Sequence, residues 1–224
     1  MLNQFQDRTA AGQLLAARLL AYAHRADVLV LALPRGGVPV AFEIAKSLLV
    51  PLDVLVVRKL GVPGEEELAM GAIASGGVLV LNERVVKSLG ISQEDINRAA
   101  AFERKLLQQR ERLYRGDRVP YEVKDRTVIL VDDGIATGAT MQAAVSALHQ
   151  QHCAHIVIAT PVAAAQTCDE LETIVDEVVC LLKPELFFAV SYWYEHFEPT
   201  SDEEVHRLLE EAARIVPAQN NPPA

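Results

Sequence analysis

Residues 127–140 constrain this chain more than any other stretch. Thr127-Val128-Ile129-Leu130-Val131 is rich in β-branched side chains. It is too short for a helix and has the character of a strand buried in a parallel sheet. Two carboxylates follow, Asp132 and Asp133. Next come Gly134-Ile135-Ala136-Thr137-Gly138-Ala139-Thr140 and the helix-favouring run Met141 to Gln150. A strand that passes through a polar, glycine-bearing turn into a helix leaves the first N–H groups of that helix unpartnered. With the helix dipole they form a place for an anion. Thr137 and Thr140 add hydroxyl donors, and Gly138 lets the backbone approach the anion closely.

The acids need a different partner. Adjacent carboxylates would repel a phosphate, but they can accept hydrogen bonds from vicinal hydroxyls or lie beside a divalent metal. Acids for a diol and an N–H nest for a phosphate, a few residues apart, fit a sugar 5-phosphate. The plainer alternative is an ordinary strand–turn–helix with a solvated Asp pair. Rival phosphate motifs do not match. The stretch has no Gly-Lys-Ser/Thr of a P-loop, and Gly134 and Gly138 are spaced wrongly for a dinucleotide fingerprint.

A second strand–glycine turn–helix unit precedes it. Val28 to Leu33 is a strand, Pro34-Arg35-Gly36-Gly37 a turn with paired glycines that allow an anion nest, and Val38 to about Leu48 a helix. Pro51 to Val57 gives a third strand, with Arg58 and Lys59 at its end, the edge of an open α/β sheet where ligands collect. From Leu60 to Met70 the composition suits a mobile loop, with Glu65-Glu66-Glu67 either a solvated helix start or a place that attracts a metal or a cationic acceptor. Gly71 to Leu81 is expected to be a hairpin turning at Gly76-Gly77. Ser92 and Asp95 form a capping box for a long charged helix reaching about Arg115, its polar side either solvated or a dimer surface.

After the central stretch, Ala154 to Thr160 is a strand, Val162 to Leu171 a helix and Glu177 to Leu182 a last strand. A helix from about Thr9 to His24, capped by Thr9 or Asp7, precedes all of these. Another, opened by Ser201 and Glu204, closes the series with Val205, Leu208, Leu209, Ala212 and Ile215 on one face. This alternation predicts an α/β fold, a doubly wound and mostly parallel sheet with an inserted hairpin and a long helix. One domain is expected over residues 1–216, with an insertion at about 60–118 and a C-terminal cap at about 183–216, followed by a disordered tail at 217–224. The segment from Phe187 to Phe197 concentrates aromatic residues and holds the only tryptophan, Trp193. It suits core or dimer packing better than stacking on a planar heterocycle.

Composition narrows the function. The net charge is −9, which argues against nucleic-acid binding. It also means that a polyanionic ligand must be held by particular Arg and Lys residues and a metal. No apolar run approaches the length of a membrane span, and the first residues carry no basic stretch before an apolar one, so neither membrane insertion nor a signal peptide is expected. Cys153, Cys168 and Cys180 are odd in number and widely spaced, as reduced core thiols of a cytoplasmic protein would be.

Over about thirteen consecutive positions the central stretch closely resembles the 5-phosphoribosyl-1-diphosphate (PRPP) binding motif of type I phosphoribosyltransferases: an apolar strand, two acids, then Ala-Thr-Gly-Ala-Thr. The resemblance implies Mg2+-dependent displacement of pyrophosphate from C1 of PRPP by a nitrogenous acceptor, through an oxocarbenium-like transition state. It assigns Ala136, Thr137, Gly138, Ala139 and Thr140 to the 5-phosphate, and Arg35, Gly36, Gly37, Arg58 and Lys59 to the pyrophosphate. Asp132, Asp133, Arg35 and Lys59 would be the catalytic set, with Mg2+ near the two acids but bound mostly to PRPP and water. The same resemblance makes residues 34–37 the pyrophosphate loop, often built on a non-proline cis peptide, and 60–70 a loop that covers the site. Ile135, Trp193 and Tyr194 are candidate acceptor contacts, and a homodimer is expected.

One departure stands out. The 6-oxopurine branch carries an Asp where this chain has Ala136, which argues against hypoxanthine, guanine or xanthine. Neither the adenine nor the orotate branch is clearly matched, so the acceptor is left open. A non-catalytic PRPP- or nucleotide-binding regulator is the alternative. A sugar-phosphate hydrolase lacks support, because neither an Asp-x-Asp-x-Thr nor a Gly-x-Ser-x-Gly nucleophile is present.

Overall fold

The structure, a computed structural model, describes residues 4–216. The tail expected at 217–224 lies outside the described residues. The chain runs α1 (Arg8–Arg18), β1 (Val28–Ala32), α2 (Gly37–Leu48), β2 (Leu52–Val54), β3 (Val57–Val62), β4 (Glu65–Ala74), β5 (Val78–Leu81), α3 (Glu83–Leu89) and α4 (Gln93–Arg115). It continues with β6 (Thr127–Val131), α5 (Ala139–Gln150), β7 (His155–Val162), α6 (Ala165–Glu172), β8 (Glu177–Leu182) and α7 (Asp202–Ile215).

Five strands form a parallel sheet in the order β2-β1-β6-β7-β8, and β3-β4-β5 form a separate antiparallel sheet. The apolar run 127–131 takes the middle of the parallel sheet, paired with β1 from Val28↔Thr127 and with β7 from Thr127↔His155. Its side chains alternate between two cores. Ile129 and Val131 join Val30, Ala32 and Val157 under α1, α2, α4 and α7. Val128 and Leu130 join Leu29, Leu31 and Ile158 under α5 and α6. Both faces are therefore covered, which is why the strands are apolar without interruption. Strand order reverses between β1 and β6, and the turn after β1 and the loop after β6 emerge side by side at that switch point.

Several expectations give way to tertiary pairing. The strand expected over Pro51–Val57 divides: β2 ends at Val54, and the chain crosses at Leu55-Val56 into β3 of the second sheet. Arg58 and Lys59 consequently lie on β3, opposite Ile73 and Ala72 of β4, and not at the end of a parallel strand. Residues 60–70 are not a loop either. They complete a β3–β4 hairpin turning at Pro63-Gly64, where Gly64 has φ +83°, and Glu65–Glu67 begin β4 instead of a helix. The apolar residues of 57–62 outweigh the turn-like composition, because pairing with the predicted hairpin strand at 71–74 extends it into a three-stranded sheet.

The first helix stops at Arg18 and is capped by Asp7, whose carboxylate accepts from the Ala10 amide at 2.7 Å. α3 has no counterpart in the expected elements, and β7 runs on to Val162 so that α6 opens at Ala165. Caps at Ser92 and Ser201 form as their sequences imply, each hydroxyl accepting from an amide three residues on at 3.1 Å. The three cysteines are free thiols in or against one core. Among the described residues no helix is long and apolar enough to cross a membrane.

The long helix α4 is tied to the main sheet by a buried cluster of charges. Arg115, the last residue of α4, donates to Asp53 at 2.7 Å, to the Val54 carbonyl at 2.6 Å and to Glu111 at 2.9 Å. Asp53 and Arg115 are 5% and 6% exposed, so neither charge has water as a substitute partner. Removing one member strands the other, which typically costs about 3–5 kcal/mol. Arg115→Ala is expected to lower unfolding free energy by about that amount in urea titration; a loss under about 1 kcal/mol would mean the cluster is solvated.

Candidate functional site

The loop after β6 is held from one side and open on the other. Ile135 donates to the Val162 carbonyl at 2.9 Å, Ala164 donates back to the Ile135 carbonyl at 3.1 Å, and the Thr167 hydroxyl donates to the Ala136 carbonyl at 2.7 Å. These bonds fix the carbonyl side of the loop to the β7–α6 connection. Among the described residues, the amides of Ala136, Thr137, Gly138, Ala139 and Thr140 donate to no protein acceptor. Gly138 sits at φ +71°, a left-handed conformation that turns the chain into α5, and a Cβ there would lie 2.9 Å from the Thr167 methyl. Ala136, Thr137, Ala139 and Thr140 are exposed. The result is a row of donors at a helix start, facing out.

The two acids lie between this loop and the turn after β1. Asp132 accepts from the Asp133 amide at 2.9 Å. Burial, and after it the charge of Asp133, hold the Asp132 carboxyl well above the ordinary carboxylate range. The Leu33 amide donates to the Val131 carbonyl at 2.8 Å, which brings residues 34–37 against the pair. Gly36 has no room for a side chain because the Asp133 carboxylate fills that space, and a Cβ on Gly37 would lie 2.7 Å from the Val131 carbonyl oxygen. The Pro34–Arg35 peptide is cis. Among the described residues, the amides of Arg35 and Gly36 donate to no protein acceptor.

Asp133 is gripped by parts of the chain that its own sequence neighbourhood does not reveal. Its Oδ2 accepts from Arg8 Nε at 2.7 Å, with both side chains largely buried. Its backbone carbonyl accepts from the Tyr194 hydroxyl at 2.5 Å. Burial, followed by the Asp133 charge, pushes the Tyr194 phenol far up, so it stays a donor. The Tyr194 ring packs between Phe5 and Phe197, at centroid distances of 5.5 and 5.0 Å.

The remaining candidates are spread out. The Arg35 guanidinium is half exposed and 3.7 Å from Asp202 at the start of α7. Arg58 pairs with Glu103 of α4. Lys59 pairs with Glu67 at 3.3 Å and lines a cavity of about 340 Å³ between β3–β5 and α5, across from Thr140, Asn82 and Gln142. Ile135 and Tyr194 are buried, and of the three candidate acceptor contacts only Trp193 keeps partial exposure. The structure thus brings 132–140 together with 34–37, sets Lys59 beside the end of the loop and turns Arg58 toward α4. Arg8 was missed from sequence, where its only distinction is to follow the cap residue Asp7.

A doubly wound parallel sheet with unpartnered amides at its switch point is the architecture on which α/β proteins hold phosphate-bearing ligands. The phosphoribosyl transferase domain matches residues 1–196, and the chain belongs to that family. It is similar to the crystal structure of TT1426 from Thermus thermophilus, with a TM-score of 0.82 and 42% identity over 93% of this chain and 98% of that one. It is also similar to two Mycobacterium tuberculosis proteins, MT0597 and Rv0571c, whose names assign them provisionally to the phosphoribosyl transferases. Each is 49% identical over 218 residues, which is 95% of this chain and 48% of the relative. The chain spans about half the length of these two relatives.

The raised Asp132 has a consequence for stability. An acid whose pKa is higher folded than unfolded binds its proton more tightly in the folded state, so its ionisation weakens folding as pH rises from the ordinary carboxylate range, about 3.9. In metal-free buffer Asp132→Asn is expected to raise the melting temperature at neutral pH, with the gain shrinking as pH falls toward about 4 and gone below it. An unchanged or lower melting temperature at neutral pH would show that the carboxylate is not under strain.

Proposed function

We propose that the chain transfers the 5-phosphoribosyl group of PRPP to a nitrogenous acceptor with release of pyrophosphate. The observation that carries this reading is the row of unpartnered amides at 136–140, directly after two acids that themselves abut a glycine turn. In this reading the amides and the Thr137 and Thr140 hydroxyls hold the 5-phosphate, while Asp132 and Asp133 receive the ribose hydroxyls. The pyrophosphate lies along the backbone of Arg35, Gly36 and Gly37. The Arg35 side chain can join it, because a half-exposed ion pair at 3.7 Å holds it only weakly. Lys59, on a hairpin next to the loop, would exchange Glu67 for the same group, whereas Arg58 faces α4 and stays with Glu103.

Among the described residues, no cluster of three or more His, Cys, Asp or Glu side chains is placed to cage a metal. Two carboxylates beside a diphosphate instead fit a hard cation that arrives on the substrate and keeps much of its water, as Mg2+ does. When bound, Mg2+ would offset charge on the departing pyrophosphate. The chain's own part is electrostatic: N–H groups and cations where negative charge grows, carboxylates where the ribose turns positive. No side chain has to act as a nucleophile. Ala136 in the loop leaves no acid there to handle a purine proton, which supports an acceptor other than a 6-oxopurine.

Pyrophosphate release from Mg·PRPP across a panel of bases and amines is expected to depend on one acceptor. Binding of PRPP with no turnover on any acceptor would favour a regulator, and failure to bind it would reject both readings. Losing one well-placed electrostatic partner typically costs about 2.7–4 kcal/mol, so Asp133→Ala and Arg35→Ala should each lower turnover on the order of a hundredfold. Near-normal rates in both variants would overturn the assignment.

A further inference from the structure

Among the described residues, Arg8 is the one cation with a largely buried side chain at the acid pair. Its Nε donates to Asp133 Oδ2 at 2.7 Å, its Nη1 donates to the Glu198 carbonyl at 2.8 Å, and its guanidinium carbon lies 3.9 Å from the centre of the Phe197 ring. A planar, always charged fork is suited to hold all three at once. The frame around it is rigid for a reason visible in the backbone. Phe5 donates to the Trp193 carbonyl and Glu195 donates back to the Phe5 carbonyl, both at 2.8 Å, and His196 donates to the Gln6 carbonyl at 2.9 Å. The segment before α1 and the segment after β8 therefore form one clasp. That clasp grips Asp133 twice, at its carboxylate through Arg8 and at its carbonyl through Tyr194. Among the described residues, Asp133 Oδ1 accepts from no protein donor, so the clasp takes one carboxylate oxygen and leaves the other for a ligand.

A purely structural account leaves two things unexplained. α1 already has its cap in Asp7, so helix formation does not need Arg8. And in a chain of net charge −9, two adjacent carboxylates beside a polyanion are a repulsive arrangement unless a cation is built in next to them. We infer that Arg8 is the positioning residue for Asp133, fixing its carboxylate against the Gly36 turn and offsetting the charge that the acid pair presents to Mg·PRPP. The inference rests on the proposed function and deepens it.

Titration calorimetry of Mg·PRPP binding on the full chain tests it, with melting temperatures recorded for every variant. Arg8→Ala is expected to weaken binding about tenfold or more, as loss of a charge-assisted partner would. Arg8→Lys should fall between, since it keeps the charge but cannot span Asp133, Glu198 and Phe197 together. In an Asp133→Asn background, Arg8→Ala should change affinity by less than about twofold, because its route of action is already removed. Unchanged affinity in Arg8→Ala, or an undiminished loss in the Asp133→Asn background, overturns the inference while leaving the proposed function intact. If Arg8→Ala does not fold, Arg8→Gln and Arg8→Lys carry the same comparison. Wild-type protein that does not bind Mg·PRPP removes both.

Discussion

Two carboxylates sit side by side at the end of a strand whose every residue is buried, and the surroundings of the switch point answer to that fact. An apolar strand delivers its last residue to the surface with no choice of direction, so Asp132 and Asp133 emerge where β1 and β6 diverge. Their mutual repulsion and partial burial have to be met by something nearby. Asp132 accepts a backbone amide and stays inclined to keep its proton. Asp133 reaches a guanidinium that lies 125 residues earlier in the chain. The turn at residues 34–37 closes against the pair only because two glycines remove the side chains that would otherwise collide there.

Under the proposed function this arrangement is a division of labour across the switch point. Amides lie on the β6 side, acids in the middle, and a glycine turn on the β1 side. Each part is simple, and none needs an unusual residue. Their value lies in adjacency, which the doubly wound topology supplies by placing two sequence-distant loops next to each other. The second sheet contributes differently. It stands on α4 and α5, anchored through the buried Arg115–Asp53 cluster, and carries Lys59 to the side of the loop where Thr140 ends.

Much of this was legible in the sequence where the signal is local. The run 127–140 encodes its strand, turn and helix within one short stretch, and 28–48 repeats the pattern, so the parallel sheet and its two loops could be read off directly. The reading failed where pairing overrides composition. Pro63, Gly64 and three glutamates suggest a loop, yet residues 57–62 and 65–74 hydrogen-bond as a hairpin because each gives the other a partner. Arg58 and Lys59 were misplaced for the same reason, since nothing local marks the crossing at Leu55-Val56. Arg8 was invisible on different grounds. It lies 125 residues from Asp133, and no periodicity or spacing in a single sequence connects them.

That separation bears on how the molecule comes together. The contacts that shape the hollow join residues from the two extremes of the chain: Gln4 to Tyr192 across 188 positions, Arg8 to Glu198 across 190. Bonds of such span are more readily closed once the intervening sheet has brought their ends near, because closing a large loop costs entropy beforehand. The central strands can assemble while the clasp is still open. A molecule loosened by heat is then expected to keep its layered sheet after losing the arrangement around Asp133. On that ground the hollow is expected to form late in folding and to be lost early in unfolding, which would make it a more sensitive gauge of native state than helix or strand content.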